Sequence, residues 1–450
     1  MRILLAPMAA LAETAGPASR VRLLAEGFRE AGIEVATCAA EDVNFREIEG
    51  VRNFFLDVPM PMGLPKMIAT RTFPVAQKLG ITARKTVTSF DQVLRFTGNL
   101  DYKYLRKSVE SVRQAVQEFR PDAVYSEFNI SAMIAARKEG LPLYATVSYP
   151  TQHTFACEPS LAKGLNRLLR ELELPEVESA LQLFDWADRA FCPSIRELEP
   201  MDREDVCYVG ALKATTTGEN GSGAEGMAQA DGEASTAQDS GEDGCDEASA
   251  TPAGVDGRDE VSATPAGEDG RGEASATAGT GKKRNKVLVY MGNGTVSAKQ
   301  TMQVVSRVFC GSGYEVYIAS SYLPEGTTLN VHVAPRWDFD TLLDEAVLFI
   351  NHGGQNSIMD GLIHGVPQIM VPGKVFERQY NAKSVMENKA GVSLSYRNFN
   401  VDKLSAIIEK VARSKKNRQN AAALGKKLMA GGGVKMVASE VIRAVNAPRI

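Results

Sequence analysis

The chain has 450 residues, 51 Lys or Arg against 55 Asp or Glu, a formal net charge of −4 and 44% hydrophobic residues. That length allows two domains of ordinary size with sizeable cores. No aromatic-interleaved basic patch, zinc spacing or helix-turn-helix signature is present, which argues against nucleic acid as a partner, and no run of about 18 apolar residues exists to span a membrane.

In chain order, Arg2 to Met8 reads as a first strand. Arg2, the apolar run and Ala10-Leu11-Ala12 also mimic a short signal peptide, but cleavage there would remove Ile3-Leu4-Leu5, which that strand needs. The spacing of Val21, Leu24, Ala25 and Phe28 predicts a helix from Ser19 to Ala31, ended by Gly32 before a strand from Ile33 to Cys38. Residues 54–68 are rich in Met and Pro, and residues 66–120 carry 11 Lys or Arg against four Asp or Glu. Apolar plus basic suggests an amphipathic or lipid-linked ligand and peripheral contact with an anionic membrane face; loop packing with solvated helix faces would explain it equally. A helix around Ser108 to Phe119, a strand Ala123 to Ser126, a helix to Glu139 and a strand Leu143 to Val147 continue the alternation. Residues 1–212 therefore read as an α/β domain with a parallel sheet covered on both sides.

Residues 214–281 hold 15 Asp or Glu against two Arg and no Lys, and repeat Ser-Ala-Thr at 249, 262 and 275. Such a composition cannot bury a face or offset its ordering entropy, so 213–285 reads as a disordered acidic linker. Its charge of −13 leaves +9 for the remainder of the chain. The six cysteines show no CxxC and no metal-ligand spacing, which fits a reducing, cytoplasmic setting.

The informative stretch follows. Ala346 to Ile350 is an apolar run short enough for a buried strand, and it stops at Asn351 and His352. Gly353-Gly354 turns the chain, and Asn356 or Ser357 is placed to cap a helix through Ile358, Met359, Leu362 and Ile363 that ends at Gly365-Val366-Pro367. A strand, a glycine turn and a helix start leave free amides and a helix's positive end aimed at one spot, which suits a phosphate. His352 adds a hydrogen bond there, and Asp360, near one turn on, can accept ribose hydroxyls. Gly292-Asn293-Gly294-Thr295 after the apolar strand Val287 to Met291 is either a second phosphate loop or an ordinary turn.

From Lys286 to about Val445 the chain resembles the donor half of an inverting, UDP-sugar-dependent glycosyltransferase of the two-domain, doubly Rossmann-like (GT-B) type. The family pattern His-x-Gly-x-Asn-Ser-x-x-Glu is met by His352 to Asp360, with Asp in place of Glu. Pro-x-x-x-Asp/Glu-Gln-x-x-Asn-Ala is met by Pro372 and Glu377-Arg378-Gln379-Tyr380-Asn381-Ala382, one residue longer and with Arg378 where Gln is usual. Trp337-Asp338-Phe339 keeps the aromatic ring of the first element but lacks its Pro-Gln. The resemblance implies a GT-B architecture: an acceptor-side Rossmann-like domain at 1–212, a nucleotide-sugar domain at 286–450, and a cleft between them. It implies that His352, Gly354, Asn356 and Ser357 hold the pyrophosphate, with Asn293 and Thr295 from the opposite loop. Asp360 would hold the ribose, Trp337 the uracil, and Glu377 and Arg378 the sugar. A guanidinium there could also pair with an acidic sugar.

The family's usual base is a His in the first loop, oriented by an Asp after a later strand, but Ala9 to Ser19 contains no His. Glu127 matches the orienting Asp without the residue it should orient, or is a carboxylate at a helix N-terminus. Three routes stay open: Glu13 or Glu127 as a carboxylate base, His153 as a substitute, or an acceptor that is already an anion. Asp338-Phe339-Asp340 is formally the metal-binding Asp-x-Asp, but it precedes a helix in a chain patterned for metal-free phosphate binding. The Glu-x7-Glu of retaining relatives is absent, since Val385 and Gln368 stand eight positions after Glu377 and Asp360. The expected activity is metal-independent, cofactor-free transfer of a hexosyl group from a UDP-sugar, with inversion, to a small-molecule, lipid or glycan acceptor. A catalytically silent nucleotide-sugar-binding subunit, or an epimerase or hydrolase of the same fold, is the alternative.

Overall fold

The computed structural model describes residues 1–11, 15–42, 45, 47–65, 67–68, 87–213, 284–292 and 296–446. Glu13, Asn293, Thr295 and the acidic repeat lie outside the described residues. The described residues belong to one compact unit.

The first sheet begins with β1 (Arg2–Pro7), followed by α1 (Ala15–Glu30), β2 (Glu34–Ala40) and β3 (Arg52–Leu56). Next come α2 (Phe90–Thr97) and α3 (Tyr102–Phe119), the latter capped by the Asp101 carboxylate, which accepts from the Lys103 and Tyr104 amides. β4 (Ala123–Glu127), α4 (Ile130–Glu139), β5 (Leu143–Thr146), α5 (Lys163–Glu171), β6 (Arg189–Cys192) and β7 (Val206–Tyr208) complete it. All pairings are parallel, in the order β3-β2-β1-β4-β5-β6-β7.

Both faces of this sheet are covered, which is why its strands read as continuous apolar runs. Along β1, Leu4 and Ala6 pack with α3 and α4, while Ile3 and Leu5 pack with Val21, Leu24 and Phe28 of α1. Burying one such Leu or Phe contributes about 1.5–3 kcal/mol.

The second sheet uses β8 (Lys286–Tyr290), α6 (Ala298–Phe309), β9 (Glu315–Ala319), β10 (Gly326–Thr328), β11 (Val331–Ala334) and α7 (Phe339–Asp344). It continues through β12 (Ala346–Asn351), α8 (Gln355–Ile363), β13 (Gln368–Met370), α9 (Phe376–Glu387) and β14 (Gly391–Ser393). Its order is β10-β11-β9-β8-β12-β13-β14, parallel except for the β10–β11 edge pair.

Three helices close the chain: α10 (Val401–Ala412), α11 (Lys415–Ala430) and α12 (Gly433–Asn446). Sequence placed α12 in the second domain. Its apolar stripe, Val434, Val437, Ala438 and Val441, is instead buried with Val21, Leu24 and Phe28 of α1, so by packing this helix belongs to the first.

The order of the parallel strands switches between β1 and β4 in the first sheet and between β8 and β12 in the second. Crevices at such points are where doubly wound sheets take ligands. Here the two switch points meet, because Arg20 of α1 donates to Gln355 of α8 at 3.2 Å.

Candidate functional site

β12 ends at Asn351, whose buried side chain does two things. Its amide donates to Gln368 Oε1 at 2.7 Å, and its oxygen accepts from the Gly353 amide at 2.8 Å, closing the turn. Gly353 has φ of +81°, a conformation that disfavours any residue with a Cβ, and its carbonyl is held by Asn381 Nδ2 at 3.1 Å. Sequence expected Asn356 or Ser357 to cap the helix. The cap is Gly354, with no side-chain bond, and Asn356 and Ser357 fall inside the first turn of α8. The Asn351 side chain already closes the preceding turn, and the first amides of α8 receive no side-chain cap.

His352 is buried at this mouth. Its Nδ1 lies 3.4 Å from the Tyr290 carbonyl, which can only accept, so the neutral ring carries its proton there and Nε2 is the bare nitrogen. A Cβ on Gly354 would lie 2.4 Å from that Nε2, so glycine is required for the ring to occupy its place. Burial, and then the charge of Arg378, push the His352 pKa down to about 3. Arg378 packs against the histidine turn: its carbonyl and Cβ lie 3.0 and 3.5 Å from where a Gly353 Cβ would be. The Arg378 charge thus bears on His352, and burial lowers its own pKa. Glu377 is exposed in the first turn of α9.

Trp337 and Asp360 bracket the adjoining side. The Trp337 indole donates to the Ile318 carbonyl at 3.0 Å and meets Tyr317 edge-on at 5.1 Å. Asp360 is only 5% exposed and lies 3.1 Å from Lys213 Nζ, which also reaches Asp340 at 2.8 Å. Burial raises the Asp360 pKa and Lys213 opposes that shift. Of the formal Asp-x-Asp, Asp338 caps α7 through the Thr341 amide at 3.2 Å, and Asp340 bonds Lys213 and His364.

On the acceptor side, Glu127 is the last residue of β4 and is completely buried. It does not open a helix: Asn129 caps α4, accepting from the Ala132 amide at 3.1 Å. The Glu127 carboxylate is held on both sides. Its Oε1 accepts from Arg20 Nε at 2.5 Å and its Oε2 from the Thr146 hydroxyl, so both oxygens are engaged. Burial raises its pKa, with Arg20 the largest opposing influence. His153 is about one-third exposed, with Nδ1 3.1 Å from Asp185. Its neighbour Phe155 reaches the donor domain, 5.8 Å from the Phe376 ring.

Arg20, Glu199, Lys213 and the Gln355 side chain were missed from sequence. For Arg20 a signal existed: it lies four residues before Leu24 and therefore on the apolar stripe of α1, where a charge needs a buried partner. Gln355 fills an unspecified position of the motif, and Glu199 and Lys213 lie in irregular segments without periodicity.

Residues 320–443 match the family model described as Erythromycin biosynthesis protein CIII-like, C-terminal domain. The whole chain superposes on the calicheamicin glycosyltransferase CalG4 with a TM-score of 0.67 at 14% identity, covering 100% of this chain and 99% of that one. The chain has the GT-B glycosyltransferase fold. A second GT-B structure, spinosyn rhamnosyltransferase SpnG complexed with thymidine diphosphate, aligns with a TM-score of 0.62 at 14% identity over 99% of this chain and 100% of that one. In sequence, the chain is 30% identical to the NDP-glycosyltransferase YjiC of Bacillus subtilis over 100 residues, 22% of this chain and 25% of that protein. It is 27% identical to mouse UDP-glucuronosyltransferase 3A2 over 160 residues, 32% of this chain and 28% of that protein. The matches span about a quarter of the length of these curated relatives. The resemblance to UDP-glycosyltransferases drawn from the His352 to Asn381 motifs holds at the level of family pattern and GT-B fold.

Proposed function

We propose that the protein transfers a sugar from a UDP-sugar to a small-molecule acceptor, with inversion and without a metal. The observation that carries this reading is the glycine turn at the β12–α8 junction, where uncapped helix amides, His352 and Arg378 converge on one spot at a topological switch point. The acceptor oxygen attacks the anomeric carbon as the bond to the β-phosphate breaks, and UDP departs with the electron pair. The charge that develops on it meets the α8 amides and the Arg378 guanidinium, a role a divalent ion plays elsewhere. His352, neutral when the site is empty, would accept a proton on facing the diphosphate.

Glu127 is committed to Arg20 and Thr146, so a hydroxyl acceptor would pass its proton to His153, oriented by Asp185, or to Glu13; an anionic acceptor needs neither. The small-molecule acceptor is supported by CalG4 and SpnG, a calicheamicin glycosyltransferase and an enzyme solved with spinosyn aglycone. Phe55, Met62, Met67 and Ile68 are exposed and apolar, which suits an apolar aglycone or lipid, and no helix among the described residues is long and apolar enough to cross a membrane. A thymidine diphosphate donor is the second reading, favoured by the nucleotide in the SpnG complex.

The test is nucleotide release from a panel of UDP- and dTDP-sugars, with and without small phenols, macrolide aglycones and lipid acceptors. Acceptor-dependent release supports transfer. Release without acceptor indicates a hydrolase or epimerase, and firm UDP binding with no turnover of any donor indicates a silent subunit.

A further inference from the structure

The side chain of Gln355 opens the donor helix α8, yet both ends of its amide are held by the first domain. Its Oε1 accepts from Arg20 Nη1 at 3.2 Å, and its Nε2 donates to Glu199 Oε1 at 3.1 Å. Both partners are fixed in turn. Arg20 is bound to Glu127 and lies 5.3 Å from the Phe128 ring centre, and the second oxygen of Glu199 accepts from the Tyr149 amide at 2.7 Å. A primary amide can accept from a guanidinium and donate to a carboxylate at once without adding charge, so glutamine completes this row. The segment carrying Glu199 also holds the second donor helix: the Leu198 carbonyl accepts from Tyr380 Oη at 2.9 Å and Ser384 Oγ at 2.7 Å, both on α9. Ile195 and Leu198 are buried among Ile358, Met359 and Val385 of α8 and α9.

We infer that Gln355 is a positioning residue through which Arg20 and Glu199 of the first domain set the pyrophosphate-binding end of α8, so that donor affinity is a property of both domains. The inference rests on the donor reading above. Its physical content is that the Gln355 amide N–H is among the helix-end donors, and its direction is fixed by a side chain that the second domain does not itself hold. Arg20 adds a permanent positive charge one residue away from that end, where anion binding is favoured.

UDP binding to the full chain tests it by titration calorimetry, with thermal unfolding of each variant alongside. Gln355→Leu should weaken UDP binding roughly tenfold, while the variant, having lost two hydrogen bonds to charged partners, unfolds at a somewhat lower temperature but still in one cooperative step. Arg20→Met should weaken it similarly, the pair of changes together should cost no more than either alone, and Arg20→Lys should restore part of the affinity. If Arg20→Met does not fold, Gln355→Leu decides the matter. UDP binding that His352→Ala abolishes but folded Gln355→Leu leaves unchanged overturns this inference alone. A folded wild type that binds neither UDP nor dTDP overturns the donor reading and this inference with it.

Discussion

The two switch points have the same ancestry in geometry and opposite chemistry. After β12 the chain leaves a glycine turn, a neutral histidine and a helix start without a side-chain cap, whose amides are groups that gain by meeting an anion. At the end of β4 the corresponding crevice is already filled with an ion pair, Arg20 with Glu127, closed further by Thr146. One crevice leaves helix amides without a side-chain cap; the other satisfies itself and reaches across to brace the first. A doubly wound sheet supplies a place for chemistry, and the side chains at its switch point decide whether that place stays open.

Breaking the self-satisfied crevice should have the largest effect. Glu127→Ala leaves the Arg20 guanidinium buried without its partner and should cost about 3–5 kcal/mol of stability, measured by urea unfolding. A variant as stable as wild type but without turnover would reassign Glu127 as a base. Breaking the open crevice should act on ligand instead. Gly354→Ala drives a Cβ into the His352 ring, from a separation of 2.4 Å, and should weaken UDP binding roughly 100-fold, about 2.7 kcal/mol, by calorimetry; unaltered affinity would remove His352 from the site.

The brace between the crevices sharpens the contrast through pH. Burial raises the Glu199 pKa to about 7, and Glu377 adds to the shift while Arg20 opposes it. The native state therefore keeps a proton that the unfolded chain releases above its ordinary carboxylate pKa. Stability should be greatest below that lower pKa and fall as pH rises through 7. Glu199→Gln should remove this slope, so that relative to pH 5.5 the wild type loses on the order of 2 kcal/mol more than the variant by pH 8. Parallel curves from chemical denaturation would refute the assignment. The smallest effect is expected at the ribose end, where Lys213 competes for the carboxylate of Asp360. Lys213→Ala should raise UDP affinity by roughly threefold, and a fall would mean that Lys213 itself touches the nucleotide.

Much of the donor half was legible because its signals are local. Ala346 to Ile350 is apolar on both faces, as a central parallel strand must be, and Gly353 answers to a positive φ at its own position. The helix cap was misread because Asn351, five residues before Asn356, does the closing, a bond that periodicity does not reveal. The acceptor half was legible as a fold and opaque as a site. Glu127 is visible in the sequence, but its role depends on Arg20, 107 positions away, and α12 follows the second domain in the chain while its stripe packs against α1.

By itself, the sequence determined the strand-helix alternation and the glycine turn, since each follows from period, backbone conformation or the chemistry of neighbouring residues. Tertiary structure alone decided which charges neutralise each other. Arg20 with Glu127, Lys213 with Asp360, and Gln355 between Arg20 and Glu199 are pairings of residues 107, 147, 335 and 156 positions apart. Such pairs leave no periodic trace in the chain, and it is desolvation on folding that makes each partner necessary.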